Sequence, residues 1–422
     1  MSRKKIIVFE HQTLVVDGEL FLARHFKALV KFNDRNGQKY LKIGYNKVIF
    51  TSYVGVIQVD DLIIEVLPKA DNHPEDEVVT KWQNALTTIL THAGNIKIDL
   101  TDVASQSVKN HNLLDILLYH FLELVEQLIR RGIIKKYRRQ EGNNVVLKGR
   151  LIVGKQITVN LIHKERFFTE YTTYDHNNIF NRVLKTAIST IVRINGNAYL
   201  KQYAAEIGSY FEAVQEIRNP RSLEKPLVYN RRSESYREAV DLGLLIIRNQ
   251  IPSFNSGEIS VIAFLLNMNQ LFEKFVFRLL KNEEINFKEY KLEVKGQTKI
   301  PFWLEQNIKA DIILEFYNPS GIEDNSTRIV IDTKWKRMLE ERPDDGDLKQ
   351  MFTYNYQYGA THSILLYPHI ALEGSGKHDY QRSLLFHNFK HGCEVRFAHL
   401  FDESGRLDKK WAFNFLNRLI NK

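Results

Sequence analysis

Lys309-Ala310-Asp311-Ile312-Ile313-Leu314-Glu315-Phe316 and Arg328-Ile329-Val330-Ile331-Asp332-Thr333-Lys334-Trp335-Lys336 decide the fold of the C-terminal part of this chain. Each is a short apolar, β-branched run. The segment between them, Asn318-Pro319-Ser320-Gly321-Ile322-Glu323-Asp324-Asn325-Ser326, is polar and turn-forming, so the two runs read as a hairpin. Each strand carries an aspartate inside its apolar run. Burying a carboxylate costs several kcal/mol unless it is paired or binds a metal. Strand alternation puts Asp332 and Lys334 on one face, with Thr333 opposite, and lets Asp311 approach them from the partner strand. Two carboxylates offer hard oxygen ligands for Mg²⁺, which keeps several waters and takes few protein ligands. A metal lowers the pKa of a bound water, and a lysine can hold that water or neutralise charge on a phosphate. Phosphodiester hydrolysis needs these elements and no thiol or nucleotide-binding loop. As a bare spacing, D-x-K is a weak signal and equally suits a surface ion pair. Its strand context strengthens it.

Outward from the hairpin, Asn269-Gln270-Leu271-Phe272-Glu273-Lys274-Phe275-Val276 belongs to a helix expected over about Ser260–Leu280, from which Glu273 can reach the sheet. On the other side, Gln350 and Tyr354 lie four apart, on one face of a following helix. Ser363–Tyr367 is a further strand. This mixed order predicts an α/β arrangement.

The rest of the chain reads differently. Residues 1–75 form a β-rich module, with runs at Ile6–Phe9, Thr13–Val16, Lys42–Phe50, Val54–Val59 and Leu62–Leu67 and a hairpin signal at Asn36-Gly37. Residues 76–255 are mainly helical. Trp82, Leu86, Ile89 and Leu90 share one face, and Leu113 to Leu128 form an apolar stripe ending near Gly132. Val145–Leu147 and Leu151–Val153 read as a strand pair inside this region. Residues 256–422 are the C-terminal α/β domain. The fold class is therefore α+β and multidomain: a β-rich N-terminal module, a helical middle with a β insertion, and a C-terminal α/β domain.

The chain has 422 residues, 44% hydrophobic and 26% charged, enough apolar material to exclude disorder as its main state. Its single cysteine, Cys393, excludes a disulfide scaffold and any zinc site built on several thiolates. No run approaches the roughly 18 apolar residues of a membrane span, and the expected location is the cytoplasm. The formal net charge is +9. Between Arg130 and Arg166 stand eleven basic residues (Arg130, Arg131, Lys135, Lys136, Arg138, Arg139, Lys148, Arg150, Lys155, Lys164 and Arg166) against Glu141 and Glu165. That local excess equals the excess of the whole chain, so the basic character is a patch. It suits a phosphate backbone, and equally an acidic protein surface or plain solvent.

The arrangement Glu273 … Asp311 … Asp332-Thr333-Lys334 … Gln350-Met351-Phe352-Thr353-Tyr354 resembles the PD-(D/E)XK nuclease superfamily. Within it the chain resembles the McrC family, the nuclease subunit of McrBC-type modification-dependent restriction systems. Asn112–Leu117, Lys148-Gly149-Arg150-Leu151, Asn178–Lys185 and Ser363–His369 also resemble family segments, so the resemblance runs from about residue 78 to 422. The β-rich start resembles the extra module of longer members. The resemblance implies that residues 256–422 are a restriction-endonuclease-like domain. It implies that Asp311, Asp332 and Glu273 bind Mg²⁺ (with Mn²⁺ able to substitute), that Lys334 is the catalytic lysine, and that Gln350 and Tyr354 belong to the same site. The superfamily's usual proline before the first acid is absent, since Ala310 precedes Asp311. The implied partners are an McrB-like AAA+ GTPase or ATPase hexamer, whose hydrolysis the chain stimulates through a finger-like part of 76–255, and double-stranded, methylated DNA. No G-x-x-x-x-G-K-[ST] segment occurs, so the nucleotide is expected on a separate chain. Two alternatives stay open: a non-catalytic activator of the motor, and a stand-alone RecB-like nuclease.

Overall fold

The computed structural model describes residues 4–68, 82–86, 88–90, 113–194, 197–218, 227–248, 250–251, 261–285, 291–317, 327–336, 343–369, 382–386, 389–402 and 406–420. The chain packs as two compact units, one of residues 1–99 with 265–422 and one of residues 100–264. This differs from the expected division at 75/76 and 255/256, whose boundaries fall outside the described residues. The N-terminal segment is not a body of its own. The Trp335 indole donates to Glu10 Oε2 at 3.2 Å, Met268 N–H donates to Ser52 O at 3.0 Å, and Trp82 packs edge-on against Trp335. Apolar contact with a distant part of the chain, which no local pattern reports, joins the two.

The first unit begins with β1 (Lys4–Phe9), β2 (Thr13–Val15), α1 (Ala23–Arg35), β3 (Leu41–Gly44), β4 (Lys47–Phe50), β5 (Tyr53–Val59) and β6 (Leu62–Leu67). β1 lies parallel to β6, and β6 antiparallel to β5; β2, β4 and β3 form a separate antiparallel sheet. β6 is buried along its whole length, which explains an apolar run, broken only by the paired Glu65, in place of alternation. The β-rich segment also holds a helix, α1, that the sequence reading did not place. Its Ala28, Leu29 and Phe32 are buried at three- and four-residue spacing. Asn36-Gly37 ends that helix and turns no hairpin: Asn36 is its C-cap and Gly37 has φ +70°.

The second unit contains α2 (Leu113–Arg130), β7 (Lys136–Asn144), β8 (Arg150–Leu151), α3 (Val153–Val159), β9 (Phe167–Asp175), α4 (Ile179–Ile194), α5 (Ala198–Ser209) and α6 (Arg237–Arg248). The helices α2, α4, α5 and α6 pack on one another. The apolar stripe of α2 is their core face, with Leu114, Leu118, Phe121, Leu122 and Val125 buried. A small antiparallel sheet of order β7-β9-β8 accompanies them. β7 alternates half-buried and exposed along its length, so one face of it is open. The expected strand pair at 145–153 is corrected. Val145–Leu147 is a loop, and Val153 opens a helix. Gly149 makes the turn between them. It has φ +78°, and a Cβ there would lie 2.3 Å from Glu170 O. β10 (Gln250–Ile251) pairs with β11 (Val261–Asn267). The helix expected from Ser260 therefore starts only at Met268, because the β-branched run before it is drawn into a ladder.

The first unit resumes with α7 (Met268–Asn282), β12 (Lys291–Trp303), β13 (Gln306–Tyr317), β14 (Thr327–Thr333), α8 (Asp345–Tyr358), β15 (His362–Pro368), β16 (Arg382–Leu385), β17 (Gly392–Ala398) and α9 (Trp411–Ile420). Six strands make one mixed sheet of order β12-β13-β14-β15-β17-β16. β12, β13 and β14 are antiparallel neighbours, whereas β14, β15 and β17 run parallel. The parallel pair β14–β15 demands a crossover, which α8 supplies. α8 buries Met351, Tyr354 and Tyr358 against Ala310, Ile313, Val330 and Leu365 of the sheet. The sheet interior also holds charge. Glu315 is 4% exposed and is met by Lys295, Arg328 and the Tyr317 hydroxyl at 2.6–2.8 Å. Among the described residues no helix is long and apolar enough to cross a membrane.

Candidate active site

The β13–β14 ladder runs from Phe316/Thr327 to Ile312/Ile331 and stops there. Asp311 and Asp332 are the next residues on the two strands, so they stand side by side where the ladder opens. Lys334 N–H still donates to Leu366 O of β15 at 2.9 Å. The Thr333 N–H must then point the other way, toward β13, where no ladder carbonyl awaits it. Asp311 Oδ2 takes its place, accepting from Thr333 N at 2.9 Å and from Thr333 Oγ1 at 3.0 Å. This corrects the expectation that Thr333 turns away: at the end of a strand the alternation of sides no longer holds.

Asp332 is 2% exposed. Its Oδ2 lies 2.7 Å from Lys334 Nζ, and Gln350 Nε2 donates to its Oδ1 at 3.3 Å. Gln350 ties the cluster together. Its Oε1 accepts from Lys334 Nζ at 3.0 Å, and its Nε2 also reaches the Tyr354 hydroxyl at 2.7 Å. That hydroxyl donates onward to Lys309 O at 2.6 Å, fastening α8 to the strand beside Asp311. The structure thus joins Asp332, Lys334, Gln350 and Tyr354 through direct contacts, and Asp311 is held beside them by Thr333. Glu273 stands on α7, half-buried, and accepts from Gln297 Nε2 at 2.8 Å.

The electrostatics follow from this crowding. Burial, and then the neighbouring Asp311 carboxylate, raise the Asp332 carboxyl well above the usual range. Burial, and then Asp311, likewise raise Glu273. For Lys334, burial works against the charge, but the Asp332 and Asp347 carboxylates outweigh it and hold the ammonium above its usual range. A buried carboxylate whose ionisation the adjacent carboxylate disfavours belongs to a donor set that a hard divalent cation would relieve. Asp311 and Asp332 fit Mg²⁺ on that ground. Glu273 does not complete a tight trio, since among the described residues only His25, Asp60 and Asp61 bring three candidate ligand atoms within 4.8 Å of one another. That other trio is occupied by its own bonds: His25 Nδ1 accepts Leu22 N–H, its Nε2 lies 3.1 Å from Asp61, and Arg24 bridges Asp61 at 3.0 Å.

The family described as the McrBC 5-methylcytosine restriction system component matches residues 48–368. The chain belongs to this family. Among curated proteins none matches it. In fold, it is similar to a chain of the refined half-complex from a tetradecameric assembly of Thermococcus gammatolerans McrB AAA+ hexamers with bound McrC. The TM-score is 0.65 at 19% identity, covering 99% of this chain and 100% of that one. A chain of the Thermococcus gammatolerans McrBC complex matches with a TM-score of 0.47 at 21% identity, over 66% of this chain and 87% of that one.

Three residues of this candidate site escaped the sequence reading. Thr333 is one. Asp347 is another: it sits in the first turn of α8, 3.3 Å from Lys334 and 2.8 Å from Lys336. The acid-rich run Asp344-Asp345-Gly346-Asp347 was its available signal, but it reads first as helix-dipole complement. The third is Tyr358, whose hydroxyl accepts from Ala310 N and donates to Thr298 O at 2.6 Å, pinning β12 and β13 together next to Asp311.

The basic patch lies on the second unit, at the end of α2 and on the small sheet with its loops. Several of its members are partnered there. Arg130 pairs with Glu126, Arg138 with Asp175 across the β7–β9 ladder, and Arg150 with Glu170. Lys155 pairs with Glu141. Lys136 and Lys148 sit over the rings of Phe180 and Tyr171, at 4.0 and 4.5 Å. Arg131, Lys135 and Arg139 are exposed and, among the described residues, in no ion pair. Large apolar side chains lie in the same stretch, with Val145, Val146 and Ile162 all at least 70% exposed.

Proposed function

We propose that this chain is the Mg²⁺-dependent DNA-cutting subunit of a McrBC-type restriction complex, with residues 265–422 forming a PD-(D/E)XK nuclease core. The observation that carries the reading is the pair Asp311–Asp332 at the opening of the β13–β14 ladder, with Lys334 bonded to Asp332. The order α7, then three antiparallel strands, then α8 and a parallel strand, accords with it. Asp311 and Asp332 would hold Mg²⁺, with Glu273 nearby on α7. The ion, when bound, supplies charge neutralisation and a more acidic water. The chain's own groups do the rest. The Lys334 ammonium stays charged at neutral pH and is positioned to meet the negative charge that develops on a phosphate. Gln350 holds that lysine and Asp332 in one orientation, and Tyr354 anchors Gln350. Thr333 fixes the Asp311 carboxylate.

The partner is a McrB-like AAA+ NTPase, and the substrate is methylated double-stranded DNA. The Thermococcus gammatolerans half-complex described as McrB hexamers with bound McrC supports the first, and the family's description as a 5-methylcytosine restriction component supports the second. The exposed Arg131, Lys135 and Arg139, set among exposed apolar groups, are the face that would meet the motor or its DNA. Arg138 is bound within its own sheet and is a poor probe of that face.

The deciding experiment is a tagged pull-down from the native host. The recovered complex is assayed for Mg²⁺-dependent cutting of methylated and unmethylated duplexes with GTP or ATP. Cutting by the wild type that needs NTP and is lost in Asp332→Ala, with partner and NTPase retained, is the expected result. Equal cutting by both proteins would make the chain an activating scaffold, and cutting without NTP would favour a stand-alone nuclease. Charge reversal at Arg131, Lys135 and Arg139 together should weaken NTPase stimulation or DNA retention in the same preparation.

A further inference from the structure

The β12–β13 hairpin outruns the sheet it belongs to. β13 pairs with β14 only over Ile312–Phe316, yet it pairs with β12 from Tyr317 to Gln306. Beyond Asp311 the two strands continue past β14 as a ribbon, with Gln297, Lys299 and residues 301–307 exposed and Ile300 and Ile308 still packed toward α8. Its tip carries three consecutive large apolar side chains, Phe302 at 53%, Trp303 at 67% and Leu304 at 91% exposed. Leu304 sits at φ +47°, in the left-handed region that glycine or asparagine enters at lower cost. The register also breaks between Pro301 and Trp303, freeing Phe302 from the ladder. Local stability explains none of these choices.

Behind the tip, Lys299 and Lys309 face each other directly across the ribbon. Like charges at such a pair are destabilising, and among the described residues neither lysine forms an ion pair. Ile308 and Ala310 pack toward α8, so Lys309 turns to the opposite side, two residues from Asp311. A polyanion passing the opening of the ladder would relieve the pair.

We propose that residues 297–309 form a DNA wedge: Lys299 and Lys309 hold the phosphate backbone beside Asp311, and Phe302, Trp303 and Leu304 enter a groove and unstack a base step. A two-stranded ribbon is narrow enough for a DNA groove, and apolar wedges unstack base steps at modest cost. The opposed lysines favour nucleic acid over a protein partner for this tip. The assignment rests on the nuclease reading for its place next to the cut.

The test uses the full chain with whatever co-purifies, and a duplex carrying 2-aminopurine, in EDTA for binding and in Mg²⁺ with NTP for cutting. Wild type and Asp332→Ala should both raise the 2-aminopurine fluorescence on binding. The double variant Phe302→Ala, Trp303→Ala should show a rise smaller by roughly fivefold or more, and Trp303→Phe should restore most of it. Lys299→Ala with Lys309→Ala should weaken binding and flatten the slope of log affinity against log salt by about two. Tip variants that bind, brighten and cut like wild type would overturn the wedge while leaving the nuclease reading intact. So would loss of a co-purifying protein with the DNA signal unchanged, which would assign the tip to that protein. A complex that never cuts, but whose fluorescence rise still depends on the tip, would sink the nuclease reading and keep the wedge. Absence of any rise with wild type overturns the wedge.

Discussion

Thr333 shows how much of this site hangs on single atoms. Its amide and hydroxyl both donate to Asp311 Oδ2, so the carboxylate is held by the strand beside it. Thr333→Val keeps the shape and the amide but removes the hydroxyl. One lost hydrogen bond to a charged group costs about 1.5–3 kcal/mol of stability, so Tm should fall by a few degrees, and the loosened Asp311 should slow single-turnover cleavage by roughly tenfold. Thr333→Ser should retain most activity; equal loss in both variants would show that the hydroxyl is not what matters. Glu315 makes a parallel case for stability. Burial works against its charge, but hydrogen bonds from Lys295 and Tyr317, with the nearby Arg328, outweigh that and hold it below the ordinary value of 4.5. A depressed carboxylate stabilises the fold above its unfolded pKa and loses that contribution as pH falls through its folded one. Glu315→Gln should therefore lower stability by about 1–3 kcal/mol at pH 7. The gap to wild type should narrow as pH drops below 4.5. Denaturant melts of both proteins across that range would read it, and a gap independent of pH would show that charge is not the cause.

At the scale of elements, the turn between Asn144 and β8 depends on one glycine. Gly149 takes φ +78° and lies so close to β9 that a Cβ would sit 2.3 Å from Glu170 O. Gly149→Ala should cost about 2 kcal/mol or more through strain and clash. It should speed hydrogen exchange in β8 and β9 while leaving β13–β15 unchanged; unaltered exchange throughout would mean the turn can relax. Gly296 plays a similar part in the first unit, where a Cβ would meet the Phe277 ring of α7 at 2.8 Å. The site is likewise an affair of elements: α8 is bolted to β13 by two tyrosine hydroxyls, Tyr354 to Lys309 O and Tyr358 to Ala310 N and Thr298 O.

For the whole molecule, the main consequence is that the chain's beginning and end make one unit. Trp335 lies one residue beyond Lys334, and its indole rests on the buried Glu10, Trp82 and Phe272. A construction lacking residues 1–68 would leave this surface uncovered, so it should be insoluble or lack a cooperative melt. A soluble 69–422 protein with a sharp transition would show that the first 68 residues are not needed for the fold of this unit.

Local patterns were enough to reveal the β13–β14 hairpin, the helices that carry Glu273, Gln350 and Tyr354, and the acid–acid–lysine set, because buried strands and amphipathic helices write their periodicity into adjacent residues. Charge excess likewise disclosed the basic patch. What they could not reveal depends on which distant segments touch. The role of Thr333 arises from a ladder that ends one residue too soon. The strand β11 arises from pairing that overrides an apparently helical run. Asp347 looks like a helix-start acid until α8 lands beside Lys334. The exposed ribbon tip was silent for the same reason: only the fold decides that the apolar run Phe302-Trp303-Leu304 stands in water. Sequence determined the chemistry this protein carries, because residue type is local. Tertiary structure alone decided which of those groups meet, because burial and contact are properties of the packed chain.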